Sequence, residues 1–204
     1  MVAYEGYDQA HTNYATARHV IFQRPLYDAL PIITDCKKRG IEVIVDLDDD
    51  FMAIPKDEPT YNTVGFGHPE GIQHLIGSIQ MADKLVCATE VLAKRYTTFN
   101  PHTLVIPNYW DDYNPFWNNR WKHEGVWIGW AGTPTHRNDF APLVPVIEQV
   151  LRENPTARIL IANDKVLYEM LRKVPESQKL FLYGVPYLEY PLVLSGFDIL
   201  LAPL

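Results

Sequence analysis

The stretch VIVDLDDDF, residues 43–51, joins an apolar run to a cluster of carboxylates. Four of the five positions 43–47 are aliphatic, and four of the five positions 46–50 are aspartate. The basic run KKR and then Gly40 precede it, which is typical of a helix end and a tight turn into a strand. Ligands of α/β proteins bind at the carboxyl ends of such strands. The stretch therefore predicts a buried strand whose tip is a catalytic carboxylate, a metal site or a solvated strand end.

Strand-like and helix-like runs alternate along the rest of the chain. The predicted strands are the apolar, β-rich runs at 19–22, 41–47, 84–89, 103–108, 126–132, 158–164, 180–184 and 197–204. Helical patterns lie between them, at about 26–39, 72–82, 90–96, 139–153, 165–173 and 187–195, and the Pro- and Gly-rich run 55–71 is predicted to be a long loop. Such alternation is typical of an α/β fold with parallel sheets and helices on both faces.

The composition changes at residues 109–122, which are aromatic, Asn-rich and irregular and predict a linker. We therefore predict two Rossmann-like domains, at 1–108 and 123–204. The second has only four strand candidates and its last strand runs to the final residue, so we expect it to be short and incomplete. A strand that ends the chain predicts exposed apolar surface, which a second copy would cover in a homo-oligomer.

Composition excludes several classes of function. The 204 residues are 47% hydrophobic and 21% charged, with a formal net charge of −7, which argues against a nucleic-acid surface. Cys36 and Cys87 are far apart and have no metal-ligand spacing, so a reducing compartment is expected. The sequence has no apolar run of membrane-spanning length and no signal-peptide core at its start. These features predict a cytoplasmic protein.

A second motif, GWAGTPTHRNDF at residues 129–140, predicts a strand, a glycine turn and a helix start. Gly132 would let a ligand approach the backbone, and the free N–H groups of a helix from about residue 138 would face an anion. Side-chain donors follow at Thr133, Thr135 and His136. The motif is neither GxGxxG nor a Walker sequence. The alternative is an ordinary turn with Asn138 or Asp139 as the N-cap.

The run LYGVPYLEYP, residues 182–191, places Gly184 and Tyr187 after another predicted strand. A nucleotide base could lie against this backbone. A plain turn with tyrosines in the core fits the same pattern.

Five segments occur together in a characteristic order: GIEVIVDLDDDF, MADKLVCATEVLAKRY, LVIPNYWD, IGWAGTPTHRNDFAPLVPVI and FDILLAPL. This set resembles the GT-B glycosyltransferases related to family 4, over roughly residues 19–204. The resemblance implies a nucleotide-sugar donor on the second domain and an acceptor, of unknown identity, on the first. The family continues past LAPL, so we expect a minimal or truncated member.

The resemblance also assigns roles to residues. Gly132, Thr133 and His136 would contact the donor phosphates, and Val185 and Tyr187 would lie near the base. In GT-B enzymes side chains and helix dipoles usually neutralise the diphosphate, so no cofactor is expected and a divalent metal is the less favoured alternative.

Two aspartates within the stretch 43–51 are assigned to the acceptor. Asp48 and Asp49 would line the first domain's edge, where one takes the acceptor hydroxyl proton or both bind its hydroxyls. A solvated strand end is the alternative. Two further functions fit parts of the sequence: a HAD-like phosphohydrolase with Asp46 as nucleophile and Asp48 as acid/base, and a non-catalytic module that binds sugar or nucleotide.

Overall fold

The computed structural model describes residues 14–26, 29–58, 60–109 and 112–203. The chain divides into two compact units, residues 1–109 and 110–204. The parts of the predicted first domain and linker at 1–13 and 110–111 lie outside the described residues.

The described part of the first unit contains a sheet of four parallel strands. They are β1 (His19–Gln23), β2 (Glu42–Leu47), β3 (Lys84–Cys87) and β4 (Thr103–Val105), in the spatial order β1-β2-β3-β4. All four were predicted from their apolar runs, so this half of the parallel α/β prediction is confirmed.

Four helices connect these strands: α1 (Ala29–Lys38), α2 (Tyr61–Val64), α3 (Pro69–Met81) and α4 (Glu90–Tyr96). Helix α1 ends as the sequence predicts, because Gly40 has φ 70° and the Ile41 amide donates to the Cys36 carbonyl at 2.9 Å. The predicted loop 55–71 is wrong in part, since it contains α2 and the start of α3. There the His68 ring accepts the Gly71 amide at 2.8 Å, a cap that the composition did not reveal.

The helices of the first unit pack on one face of its sheet. Val43, Val45 and Leu47 are fully buried beneath α1, α3 and α4, whereas Ile21 on the other face is 54% exposed. The expectation of helices on both faces is therefore wrong for the described part of this unit. The reason is that each crossover steps the same way across the sheet, and right-handed crossovers in one direction place every helix on one side.

The second unit also has four parallel strands within the described residues. They are β5 (Trp127–Ala131), β6 (Arg158–Ala162), β7 (Lys179–Leu182) and β8 (Ile199–Leu200), in the order β7-β6-β5-β8. Strand β8 is an edge strand of two residues, and its side chains are about half exposed. The predicted short sheet with an exposed last strand is thus observed.

Its helices are α5 (Arg137–Phe140), α6 (Val144–Glu153), α7 (Lys165–Met170) and α8 (Tyr190–Leu194). One buried cluster joins α5, α6 and α7 to one face of the sheet, and another joins Val193 of α8 to Trp127 and Leu160 on the opposite face. Here helices cover both faces, as predicted. The predicted helix 139–153 is interrupted by a 3-10 turn, because Pro142 and Pro145 have no backbone N–H to donate.

The described part of the predicted linker packs on the second unit. It contains a 3-10 helix at Pro115–Asn118. The Asn114 amide donates to the Leu188 carbonyl at 3.1 Å, and the Trp121 indole N–H donates to the Leu192 carbonyl at 3.0 Å. The segment is therefore fixed beside α8. Among the helices in the described part of the chain, none has the length and apolarity needed to cross a bilayer.

Candidate functional site

The second unit changes the direction of its strand order beside β5. From β5 the chain steps outward to β6 and β7 and then returns to β8 on the other side of β5. In open α/β sheets the ligand crevice lies outside the carboxyl ends of the strands at this kind of reversal. The turn Gly132–His136 follows β5 directly, so the topology puts this predicted motif at the favoured position. The first unit has no reversal in the described part of its sheet.

Gly132 lies against the ring of Trp130. A Cβ atom at Gly132 would be 2.8 Å from Cζ2 of that ring, which is closer than side chains normally approach. Trp130 is only 3% exposed and packs edge-on against Phe140, with ring centroids 5.6 Å apart. The ring has little room to move, so the turn needs glycine here for packing as well as for any ligand's approach.

The predicted donors of the turn lie close to one another. The hydroxyls of Thr133 and Thr135 are 2.6 Å apart, and Nδ1 of His136 is 3.1 Å from Oδ2 of Asp139. The helix expected to start near residue 138 begins at Arg137, but α5 has only four residues. A 3-10 turn at Pro134–His136 runs into the four-residue α5, and neither has a side-chain cap. The turn therefore presents side-chain donors rather than the amino end of a long helix.

Arg137 and Asp164 join the ends of two neighbouring strands, a pairing that the sequence analysis missed. Arg137 Nε donates to Asp164 Oδ2 at 2.6 Å, and Nη2 donates to Oδ1 at 3.0 Å. The Asp164 side chain is fully buried and also accepts the Val166 amide at 2.9 Å, which caps α7. A capping aspartate before a helical run is a recognisable signal, whereas its arginine partner, 27 positions away, is not.

The electrostatics of Asp164 follow from these contacts. Burial by itself would raise the pKa of the carboxyl group. The hydrogen bonds from Arg137 and from the Val166 and Leu167 amides outweigh it and hold the pKa below its usual range. The carboxylate is therefore charged, and it holds the residue next to His136 in place.

The two residues predicted to lie near the nucleotide base follow β7. Val185 packs at the edge of the cluster beneath α8, and Tyr187 is 88% exposed in a 3-10 turn. Tyr190, which the sequence analysis did not single out, donates its hydroxyl to the Ala131 carbonyl at 3.0 Å. This bond ties the start of α8 to the residue before Gly132, so the 187–190 segment and the glycine turn share one edge of the sheet.

The predicted acceptor carboxylates lie at the carboxyl end of β2. The Arg24 guanidinium binds both oxygens of Asp48, with Nε 2.7 Å from Oδ1, and its Nη2 lies 3.4 Å from Oδ2 of Asp49. The hydrogen bond from Arg24 lowers the pKa of Asp48. Arg24 has φ 51°, an uncommon conformation for a non-glycine residue. Asp48 is thus a paired carboxylate, while the Asp49 side chain is 64% exposed.

The other two aspartates of the stretch differ from each other. Asp50 accepts the hydroxyl of the fully buried Tyr96 at 3.0 Å and pairs with Arg95 at 2.7 Å, so it anchors the turn to α4. Asp46 is half-buried on the helix-free face, and burial, followed by the nearby Asp48 charge, raises its pKa. In the described residues no group of three or more His, Cys, Asp or Glu side chains is arranged to hold a metal ion.

No protein-family model matches this chain, and a comparison with curated proteins finds no match. Solved structures share its fold. A mutant of S. aureus TarM in complex with fondaparinux, α-GlcNAc-glycerol and UDP matches 84% of this chain and 34% of its own, with 15% identity and a TM-score of 0.59.

The UDP-GlcNAc 2-epimerase from Neisseria meningitidis, bound to UDP-GlcNAc, matches 90% of this chain and 53% of its own, with 12% identity and a TM-score of 0.57. A putative UDP-N-acetylglucosamine 2-epimerase from Listeria monocytogenes has 7% identity, a TM-score of 0.56 and coverage of 90% and 51%. The chain thus spans a third to a half of the length of these structures. The fold is α/β with two Rossmann-like units of parallel strands, of the GT-B type.

Proposed function

We propose that this chain acts in sugar transfer from a nucleotide-sugar donor, as a GT-B glycosyltransferase related to family 4. The observation that carries the proposal is the reversal of strand order beside β5, with the Gly132–His136 turn at the carboxyl end of that strand. The nucleotide-sugars and UDP held by solved structures of the same fold support a ligand of this class.

The donor diphosphate is assigned to the glycine turn. Gly132 allows the backbone to approach, and Thr133 and His136 supply a hydroxyl and an imidazole from exposed positions. Val185 and Tyr187 are assigned to the base, since both follow β7 and Tyr190 ties their segment to the same edge. No metal is assigned to the diphosphate.

The acceptor is assigned to the carboxylates at the end of β2. Asp49 is the better candidate for contact with acceptor hydroxyls, because its side chain is more exposed than that of Asp48 and its contact with Arg24 is longer. Asp48 would act mainly by fixing Arg24, since a carboxylate with a lowered pKa is a weak proton acceptor.

Titration with UDP, UDP-GlcNAc and ADP, followed by calorimetry and thermal shift, tests the donor assignment. A bound nucleotide at 100 times its dissociation constant should add about 2.7 kcal/mol to the free energy of unfolding. Gly132→Val should abolish that gain, and Tyr187→Ala should weaken it. Equal stabilisation of the unmodified chain and Gly132→Val would move the site elsewhere.

Transfer itself is tested with radiolabelled UDP-GlcNAc and a panel of glycan acceptors, with and without chelator. Turnover that chelator leaves unchanged supports a metal-independent reaction. Donor binding with no turnover on any acceptor would favour a non-catalytic module that binds sugar or nucleotide. This is the second candidate function, because the chain spans only a third to a half of the length of the matched structures.

Self-association is a separate expectation. Ile199 and Leu200 on the edge strand β8 are 49% and 48% exposed, which supports the prediction of a homo-oligomer. Sedimentation velocity over a concentration series tests it, and a single monomeric species throughout would contradict it.

A further inference from the structure

His136 and Asp139 form a pair within the turn after β5. Nδ1 of the imidazole lies 3.1 Å from Oδ2 of the carboxylate, and the two side chains are 48% and 32% exposed. With Nδ1 engaged by Asp139, Nε2 is the ring nitrogen that remains for a ligand. The family resemblance predicts a phosphate contact for His136, and the local pattern predicts for Asp139 only a helix cap. The structure shows no side-chain cap at α5.

Two cations that follow the strand ends of this sheet contact other partners. The Arg137 guanidinium donates to the buried Asp164 at 2.6 and 3.0 Å. Lys165, at the start of α7, has its ammonium 4.2 Å from the centre of the Tyr168 ring. Among the described contacts, the charged side chain that touches the imidazole is therefore Asp139.

The chemistry of imidazole limits what this pair can bind. A neutral ring carries one N–H, so it cannot donate to Asp139 and to a phosphate oxygen at the same time. An imidazolium carries two N–H groups and can donate to both. An anion on each side of the ring favours this charged form.

We infer that Asp139 positions His136 as an imidazolium that donates from Nδ1 to the carboxylate and from Nε2 to a nucleotide phosphate, and that nucleotide binding takes up a proton. The proton comes from solvent and stays on the ring, and no covalent bond changes. The ligand's identity rests on the proposed function. Asp139 is a positioning residue and need not touch the ligand.

The direction in which Asp139→Asn changes UDP affinity separates a positioning role from mere proximity to the ligand. Asp139→Asn removes a negative charge beside an anionic ligand, so a bystander carboxylate would give equal or tighter UDP binding when it is neutralised. A positioning carboxylate gives the opposite result, because the imidazolium loses its partner. Both side chains are partly exposed, so we expect UDP binding to weaken by roughly two- to fivefold.

The experiment is a double-mutant cycle in UDP affinity, measured by calorimetry, with Glu153→Gln on α6 as the control for loss of one exposed carboxylate. His136→Ala should weaken UDP binding by about tenfold, since it removes a charge-assisted hydrogen bond. In the His136→Ala background, where Asp139 has no imidazole partner, Asp139→Asn should leave UDP binding equal or slightly tighter. The control should bind UDP like the unmodified chain.

Proton uptake gives a second readout, from calorimetry at pH 7.5 in two buffers of different ionisation enthalpy. The unmodified chain should take up a fraction of a proton on binding UDP, and both His136→Ala and Asp139→Asn should reduce that fraction. Thermal melts of each variant confirm folding. The tautomer of the free protein is measured by NMR from the ring ¹⁵N shifts of His136, which are assigned by comparison with His136→Ala. Where the ring is neutral, these shifts should show the proton on Nδ1.

Failures of the two proposals are distinguishable. If UDP fails to bind, or binds His136→Ala like the unmodified chain, the donor-site assignment is overturned. A second outcome is that His136→Ala weakens UDP binding, whereas Asp139→Asn either raises UDP affinity or leaves both affinity and proton uptake unchanged. The donor-site assignment is then retained, and the positioning role of Asp139 is wrong. An Nε2-protonated ring in the free protein would also overturn that role.

Discussion

The ion pair between Arg137 and Asp164 should stabilise the second unit, and two substitutions at Asp164 separate its contributions. Asp164→Ala removes the cap of α7, worth about 1 kcal/mol, and the bond to Arg137. The Arg137 side chain is 36% exposed, so solvent screens this ion pair and limits its contribution to at most about 1 kcal/mol. We therefore expect Asp164→Ala to lower the free energy of unfolding by about 1 to 2 kcal/mol.

Asp164→Asn is the matched variant. An asparagine oxygen can still accept the Val166 amide, so the cap survives, whereas the charge and one of the two acceptor oxygens for Arg137 are lost. The expected loss is about 1 kcal/mol or less. Because the pKa of Asp164 is lower in the folded chain than in the unfolded chain, the stability it contributes is present above about pH 4. This contribution should be lost as the pH falls through the folded-state pKa, so the unmodified chain and Asp164→Asn should converge in acid.

Tryptophan fluorescence during urea unfolding is the suitable assay. All five tryptophans lie between residues 110 and 130, and the four that the structure describes, at 117, 121, 127 and 130, belong to the second unit, so the signal reports mainly on that unit. Glu153→Gln, an exposed site on α6, is the control and should change stability by less than about 0.5 kcal/mol. A loss for Asp164→Ala no larger than this control's would refute the reasoning that the pair holds the two strand ends together.

Three further substitutions test other features of the two sheet edges. Asp46→Asn should raise the free energy of unfolding at pH 7, because the pKa of Asp46 is raised on folding and its ionised form is therefore disfavoured. The gain should vanish when urea unfolding is measured at acid pH. A loss of stability at pH 7 would contradict the destabilising effect of burial on this carboxylate. Tyr190→Phe should cost about 1 kcal/mol in urea unfolding through loss of the bond to Ala131, and no change would mean that water replaces the hydroxyl. Asp49→Asn should slow sugar transfer with no change in UDP affinity, and unchanged turnover at saturating acceptor would identify Asp49 as part of a solvated strand end.

The location of the glycine turn follows from the sequence, but the electrostatics of the site do not. The sequence places Gly132 after a strand, because an apolar run followed by glycine and proline is a local pattern. Partners that lie far apart in the chain were missed: Arg24 with Asp48, 24 positions apart, and Tyr190 with Ala131, 59 positions apart. Such pairs form only when separate strands bring their carboxyl ends to one edge, and no local pattern records them.

The helices and strands were largely determined by the sequence itself. All eight predicted strands are present, because a parallel strand is an apolar run bounded by turn residues, and both signals are local. Helix α1 ends where the cations and Gly40 predict. The errors are also local: the run 55–71 conceals α2 and a histidine cap, and two prolines divide the helix predicted at 139–153.

Tertiary structure alone decided which faces are covered and where the favoured crevice lies. No single segment of the sequence determines the strand order, since each crossover can step either way across a sheet. In the first unit the described strands step in one direction, so the helices share one face and Ile21 stays exposed on the other. In the second unit the chain reverses after β7, which places α8 on the opposite face. This reversal opens the carboxyl edge beside Gly132, because right-handed crossovers on the two sides of β5 leave from opposite faces.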